Sequence, residues 1–334
     1  MSENRTVTIR DVAKKAGVAV STASRALGNG SASTATREKV RRAAEELHFI
    51  PNQAASSLAS GRSDIVAIVV PEYTDFVFKD FFVAGVVSEL TKAFGQRGML
   101  PFLALTEPDD MDSLGRLLHD SGADGAVVLS YHYSDGLTRV LQDFCRPTVF
   151  VGKPLPHSRY PYVDVDNEGA SYLAAEILAE RGRRHIAVVA GPGDMPTPQQ
   201  RTSGFSAGLD AHGMRPIAVL NGLYTAEHGR QACEQLLKQH PEVDGVFAQS
   251  DAIASGVMQV LRQHGKNIPK DVSIIGFDDF PIATEVSPAL TTFAQPLHDM
   301  AAAVAEMLCW RLEHGEWNSA VRILPVSLIQ RDSV

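Results

Sequence analysis

The chain has 334 residues, 44% of them hydrophobic and 21% charged, so it can bury sizeable cores and is not globally disordered. Its apolar runs, such as 65–70, are too short for a membrane span, and MSENRTVTIRDV carries no signal-peptide core. The expectation is a soluble, cytoplasmic protein of two or three domains without a membrane partner. Charge is divided unevenly. Residues 1–62 hold ten Lys or Arg against five acids, a balance of +5, whereas the remainder carries −13. A small basic head on a large acidic body suits a nucleic-acid-binding module joined to a part with another task. Cys145, Cys233 and Cys309 lie far apart without C-x-x-C spacing, so neither a disulfide framework nor a zinc site is expected, and no cofactor is implied.

In the head, Ile9, Val12, Ala13 and Ala16 recur at helical spacing behind Thr8 and Asp11, which resemble a short capping box. Gly17 suits the left-handed stop of this helix. A second helix is predicted over 20–27 with Ala23, Ala26 and Leu27 inward, followed by the loop Gly28-Asn29-Gly30. A third, over 34–48, buries Val40, Ala43, Ala44 and Leu47, with Phe49 and Ile50 packed behind it. Three short helices with a tight glycine turn between the first two make a helix-turn-helix. A generic three-helix bundle is the plainer alternative, but the second helix exposes Ser21, Thr22, Ser24 and Arg25, groups suited to phosphates or base edges. Pro51 and Gly61 then bracket small residues that read either as an ordinary linker or as a segment that becomes helical on DNA.

From Asp64 onward the pattern is α/β. Strands are predicted over 65–70, 100–105, 125–129, 148–151, 186–190, 217–220, 245–248 and 272–277. Helical stretches separate them at 84–96, 113–119, 170–180, 199–212, 226–239 and 252–264. Repeated βα units imply parallel sheets covered on both faces, in one large sheet or two lobes. Ligands in such folds sit beyond the carboxyl ends of strands. That rule selects Tyr73, Asp75 and Phe76 after the first strand, Ser130 after the third and Lys153 after the fourth. It adds Arg201 at a helix start, Tyr224, Ser250, Asp251, and Asp278 at the end of IIGFDD. An arginine fork with carboxylates suits vicinal hydroxyls or a ring-nitrogen edge, and an aromatic face suits a sugar or a base. The plainer roles are a helix cap for Asp251, packing for Tyr73 and Phe76, and solvent for Lys153. Enzyme motifs are missing. Asp278-Asp279 and Asp109-Asp110 are adjacent rather than opposed carboxylates, and no G-x-S-x-G, H-E-x-x-H or Walker A pattern occurs. Gly191-Pro192-Gly193 lacks a third glycine, and Pro196 and Pro198 are expected to block a dinucleotide-type helix start.

TIRDVAKKAGVAVSTASRAL, TREKVRRAAEELHFIPN and AASSLASG resemble the head and hinge of the LacI/GalR family of bacterial transcriptional regulators. The resemblance runs on through DGAVVLS, RGRRHIAVVAGP, SDAIASGVMQVL, DVSIIGFDDF and LTTFAQP. It implies an all-α helix-turn-helix domain over 1–50, a hinge over 51–62 and a two-lobed, doubly wound, periplasmic-binding-protein-like core over 63–334. Lobe one would take 63–164 and 294–323, lobe two 165–293 and 324–334. The second helix would enter the major groove with Val20, Ser21 and Arg25 at base edges and Thr22 and Ser24 on phosphates, with Thr8, Ser33 and Asn52 also facing DNA. Paired hinge helices would open the minor groove, Leu58 wedged between base steps with Ala55 beside it. Ser130, Arg201, Tyr224, Ser250 and Asp278 match positions that line the family's effector pocket. The implied function is a homodimeric repressor of carbohydrate genes that binds double-stranded, pseudo-palindromic operator DNA under the control of a sugar effector. A purine or nucleoside corepressor is the alternative ligand, and a solute-binding protein the alternative class. No leucine heptad follows the last strand, so a dimer is expected rather than a tail-linked tetramer. Two departures stand out: Ala19 replaces a customary hydroxyl, and Thr74-Asp75-Phe76-Val77-Phe78 replaces a customary Asn-Pro-Phe-Phe run.

Overall fold

The computed structural model describes residues 7–28, 31–49, 61–154 and 158–334, in two compact units that divide after Ser63. The first unit contains α1 (Ile9–Ala16), α2 (Val20–Leu27) and α3 (Thr34–Glu46). Its core is made of small side chains, Val12, Ala13, Ala16, Ala23, Ala26, Val40, Ala43 and Ala44, which let the three helices approach closely. The Thr8 amide donates to Asp11 Oδ2 at 2.9 Å, and the Thr8 hydroxyl donates to the same oxygen at 2.7 Å. Gly17 is left-handed at φ 62°, the conformation that ends α1 without a Cβ penalty. Helix α3 stops at Glu46, two residues earlier than its periodicity suggests, because His48 turns left-handed at φ 50° and swings Phe49 back onto the core. Ile50 and the hinge residues Asn52, Ala55 and Leu58 lie outside the described residues.

The second unit carries, in chain order, β1 (Ile65–Pro71), β2 (Leu100–Thr106), β3 (Gly125–Val128), β4 (Thr148–Val151), β5 (Tyr162–Val165), β6 (Ile186–Ala190), β7 (Val219–Asn221), β8 (Gly245–Ala248), β9 (Ser273–Ile275), β10 (Thr292–Ala294), β11 (Val321–Leu324) and β12 (Ser327–Ile329). One parallel sheet has the order β11-β5-β4-β3-β1-β2 and a second has the order β7-β6-β8-β9, while β10 and β12 form a short antiparallel pair. Both faces of each sheet are packed, which is why β1, β3, β4, β6 and β8 are runs of buried apolar residues rather than alternating ones. Each sheet with its helices makes one lobe, and the chain changes lobe three times. After β5 it enters the second lobe through the helix Asn167–Glu180. After β10 it returns through Leu297–His314, whose Met300, Val304 and Leu308 share a core with Val86, Leu90 and Ile68. Leu324 still pairs with Val165 in the first sheet before β12 rejoins β10.

Several elements differ from the periodicity reading. Strand β5 and the helices Asp135–Phe144 and Leu297–His314 are additional, and β9 is shorter than 272–277. Pro196 opens the helix Pro196–Ala211 instead of blocking it, since a first-turn proline forfeits an amide that has no intrahelical partner anyway. Arg201 therefore sits in the second turn, not at the helix start. Among the described residues no helix is long and apolar enough to cross a membrane.

Candidate functional site

On the head, α2 presents Val20, Ser21, Ser24 and Arg25 to solvent, while Thr22 is half-buried. The Arg25 Nε donates to the Ser21 carbonyl at 3.2 Å, holding the guanidinium along the exposed face. Ala19 occupies the N-cap of α2 in extended conformation with no side-chain acceptor. Ser33 does cap its helix, accepting the Thr36 amide at 3.3 Å. Thr8 is exposed, its hydroxyl engaged with Asp11.

In the larger unit a cavity of about 390 Å³ opens between the two lobes, within the range of sites that enclose small ligands. Phe76, Ser130, Arg201, Tyr224, Ser250 and Asp278 all line it. Arg201 is buried, donating from Nε to Asn167 Oδ1 at 2.8 Å and from Nη1 to the Gln249 carbonyl at 2.5 Å. Its guanidinium carbon lies 3.5 Å over the centre of the Phe277 ring, and Nη1 stands 3.8 Å from Asp278 Oδ1. Asp278 has φ 111° and accepts Gln295 Nε2 at 2.7 Å. Burial drives its carboxyl well above the usual range, against the pull of Arg201. The Tyr224 ring packs against Gly191, where an added Cβ would meet the ring at 2.3 Å. The Gly191-Pro192-Gly193 motif thus makes room for an aromatic side chain. The Tyr224 hydroxyl is buried without a hydrogen-bond partner among the described residues.

Four residues expected in the site are placed otherwise. Tyr73 and Asp75 are exposed and outside the cavity lining, because the one-turn helix Thr74–Val77 directs Val77 into the core and Phe76 to the cavity. The Lys153 side chain is exposed, and only its backbone serves the cleft wall: its amide donates to Asp164 Oδ2 at 3.1 Å and its carbonyl accepts the Tyr131 hydroxyl. Asp251 is buried outside the lining, where it accepts Thr292 Oγ1 at 2.6 Å and the Phe280 amide at 2.9 Å. Ser250, not Asp251, caps the helix Asp251–Gln263, accepting the Ile253 amide at 3.2 Å.

The sequence reading missed other walls. Asp80, Asp164, Asn167, Phe81, Phe280 and Gln295 also line the cavity. Burial pushes both Asp80 and Asp164 up to about 6. Asn167 follows the same strand-end rule, applied to the unrecognised β5, which itself carries Asp164, and Asp80 carries the N-cap signal before Phe81–Gly95. Beside the cavity the lobes are clasped. His132, after β3, places Nε2 3.2 Å from Glu72 Oε1 and Nδ1 2.8 Å from Asp194 Oδ2 in the other lobe, and the Tyr133 amide donates to the Asp194 carbonyl at 2.9 Å. Hydrogen bonding to Glu72, aided by Asp194, raises the His132 imidazole to about 9 despite its burial.

Residues 8–52 match the model of bacterial regulatory proteins of the lacI family, and residues 175–334 match a periplasmic binding protein-like domain. The HTH-type transcriptional regulator CelR of Thermobifida fusca is 37% identical over 340 residues, covering 100% of both chains. The HTH-type transcriptional repressor CytR of Escherichia coli strain K12 is 30% identical, covering 98% of this chain and 96% of its own. Among solved structures, a CelR–cellobiose complex superposes with a TM-score of 0.78 at 35% identity, covering 98% of this chain and 100% of that one. The lac repressor dimer bound to operator and an anti-inducer, at 24% identity and a TM-score of 0.85, shares the fold over 98% of this chain and 99% of its own. A basic helix-turn-helix head, a two-lobed α/β body and full-length similarity to regulators place the chain in the LacI family of bacterial transcriptional regulators.

Proposed function

We propose that the protein is a homodimeric, cytoplasmic repressor whose grip on operator DNA is governed by a sugar held between its lobes. The observation that carries this reading is the cavity itself, in which a buried arginine, carboxylates and aromatic rings from both lobes converge. Paired polar groups match vicinal hydroxyls, and aromatic faces match the apolar side of a pyranose. The CelR–cellobiose complex supports a sugar ligand, because that relative is 35% identical over nearly the whole chain. On the head, Val20, Ser21 and Arg25 are assigned to base edges and Thr22 and Ser24 to phosphates, with Thr8 and Ser33 beside them. Asn52, Ala55 and Leu58 enter this reading from the sequence alone, Leu58 as the apolar wedge in the minor groove.

A sugar that touches both lobes favours one angle between them, so ligand and operator affinities are thermodynamically linked. The test is fluorescence anisotropy of labelled DNA from the gene's own control region, titrated with protein and then with cellobiose, other saccharides and purines. Release by a saccharide is the expected result. Tightening by a purine identifies a corepressor instead, and binding indifferent to every compound removes the effector assignment.

A further inference from the structure

The charges around the cleft separate one class of sugar from another, an inference that rests on the sugar reading above. Three carboxylates, Asp80, Asp164 and Asp278, line the cavity with two cations, Arg201 and Lys79. The cations are poorly placed to receive an anion. Arg201 already donates to Asn167 and to the Gln249 carbonyl, and it faces Asp278. Lys79 is solvent-exposed, where its field is screened. Asp164 is held by the Lys153 and Val165 amides and by Asn167 Nδ2, all neutral donors. Asp80 is likewise held by backbone, its Oδ1 accepting the Val83 amide at 2.8 Å at the start of Phe81–Gly95. The nearby Glu72 carboxylate repels the Asp80 charge, and Asp80 in turn repels that of Asp278. Negative charge therefore accumulates on the first-lobe wall, where Asp80 and Asp164 stand with Glu72 nearby, while on the second lobe burial drives the Asp278 carboxyl up and Arg201 faces it. The remaining wall is aromatic. Phe76, Phe81, Tyr131 and Phe280 line it, and the Phe81 and Phe280 rings approach to 5.9 Å across the two lobes.

We propose that the cleft takes an uncharged oligosaccharide and rejects phosphorylated or acidic sugars, with Asp80 as the residue that sets this selectivity. Hydroxyls donate to carboxylates, so a neutral sugar satisfies Asp80 and Asp164 without meeting a like charge. A phosphate adds about −1.5 to −2 charge at neutral pH and is chiefly an acceptor, so it finds no donor in these carboxylates. At a low effective dielectric this repulsion is not screened away.

Asp80→Asn is a clean probe, because asparagine caps a helix about as well as aspartate and the substitution removes only the charge. Calorimetry on the full-length protein compares cellobiose with cellobiose 6′-phosphate, and glucose with glucose 6-phosphate. The wild type is expected to bind each neutral sugar at least about a hundredfold more tightly than its phosphate, and Asp80→Asn to shrink that ratio by about tenfold or more. The ratio is taken within one protein, so a general loss of stability does not imitate the effect. Equal or tighter binding of the phosphates by the wild type overturns the selectivity while leaving the sugar reading intact. An unchanged ratio in Asp80→Asn overturns the role of that residue. Binding of none of the four compounds, with purines active instead, removes the sugar reading and this inference with it.

Discussion

At Arg201 the chemistry of a ligand site and of a structural brace coincide. Its guanidinium satisfies Asn167 and the Gln249 carbonyl, rests on Phe277 and faces a buried carboxylate. Arg201→Ala leaves those acceptors and Asp278 without their cation, so it is expected to lose the effector response and also about 3 kcal/mol of stability. Denaturant unfolding of the purified variant measures the second effect, and a stability within error of wild type rejects the brace. A milder test concerns Ala19, whose extended backbone at the start of α2 is that of an N-cap lacking an acceptor. Ala19→Ser supplies one and is expected to stabilise α2 by about 1 kcal/mol. Slower hydrogen exchange at the Ser21 and Thr22 amides reports that gain, and unchanged exchange shows that the missing hydroxyl costs nothing.

At the scale of elements, legibility followed the strength of the apolar pattern. Buried strands such as β1 and β6 and amphipathic helices such as Ala226–Gln239 declare themselves through runs and 3.6-residue stripes. Strand β5 is four residues long and carries Asp164 in its middle, so no run marks it. Missing β5 hid Asp164 and Asn167 from a search that looked beyond strand ends. Ser130 and Asp278, which line the cavity, were selected because the buried runs of β3 and β9 precede them, whereas Arg201 was selected as a helix-start residue and Tyr224 follows the short, largely exposed β7. The clasp between the loops after β3 and β6 was not legible at all, since His132, Glu72 and Asp194 meet only through the packing of two lobes. That clasp has a pH signature. Glu72 and Asp194 raise His132 from an ordinary value of about 6.5 to about 9, so its contribution is fully present below about pH 6.5 and is lost as pH rises through 9. Asp80 and Asp164, at about 6, complete most of their titration below this window, whereas Asp251, pushed up to about 7 by burial, titrates at its lower edge and is common to wild type and variant. Asp278 is shared by wild type and variant, so its influence cancels in a comparison. The melting temperature of the wild type is expected to fall more steeply between pH 7 and pH 9.5 than that of His132→Gln. Parallel curves dismiss the clasp.

For the whole molecule, eight recognisable strands fitted one sheet or two equally well, and periodicity had no means of choosing. The lobe changes after β5, β10 and β11 occur within a few residues and leave no mark in composition. Charge, by contrast, was legible from the outset: +5 on residues 1–62 and −13 on the rest. That division predicts how two binding reactions respond to salt. Operator binding releases counterions from the DNA, so log K is expected to fall with log salt at a slope of about −0.9 for each phosphate neutralised. Because the body is acidic, deletion of residues 1–62 leaves nothing to attract DNA and should abolish binding. Binding of an uncharged sugar displaces no condensed counterions, and its affinity should be nearly flat over the same range. The two reactions remain coupled: whatever factor the sugar takes from operator affinity, operator must take from sugar affinity. Measuring both affinities in the presence and absence of the other ligand, at two salt concentrations, tests the scheme as one object. Equal coupling factors, with salt dependence confined to the DNA reaction, are the expected result. A steep salt dependence of sugar binding refutes an uncharged ligand, and full operator affinity without residues 1–62 refutes the head as the DNA-binding part.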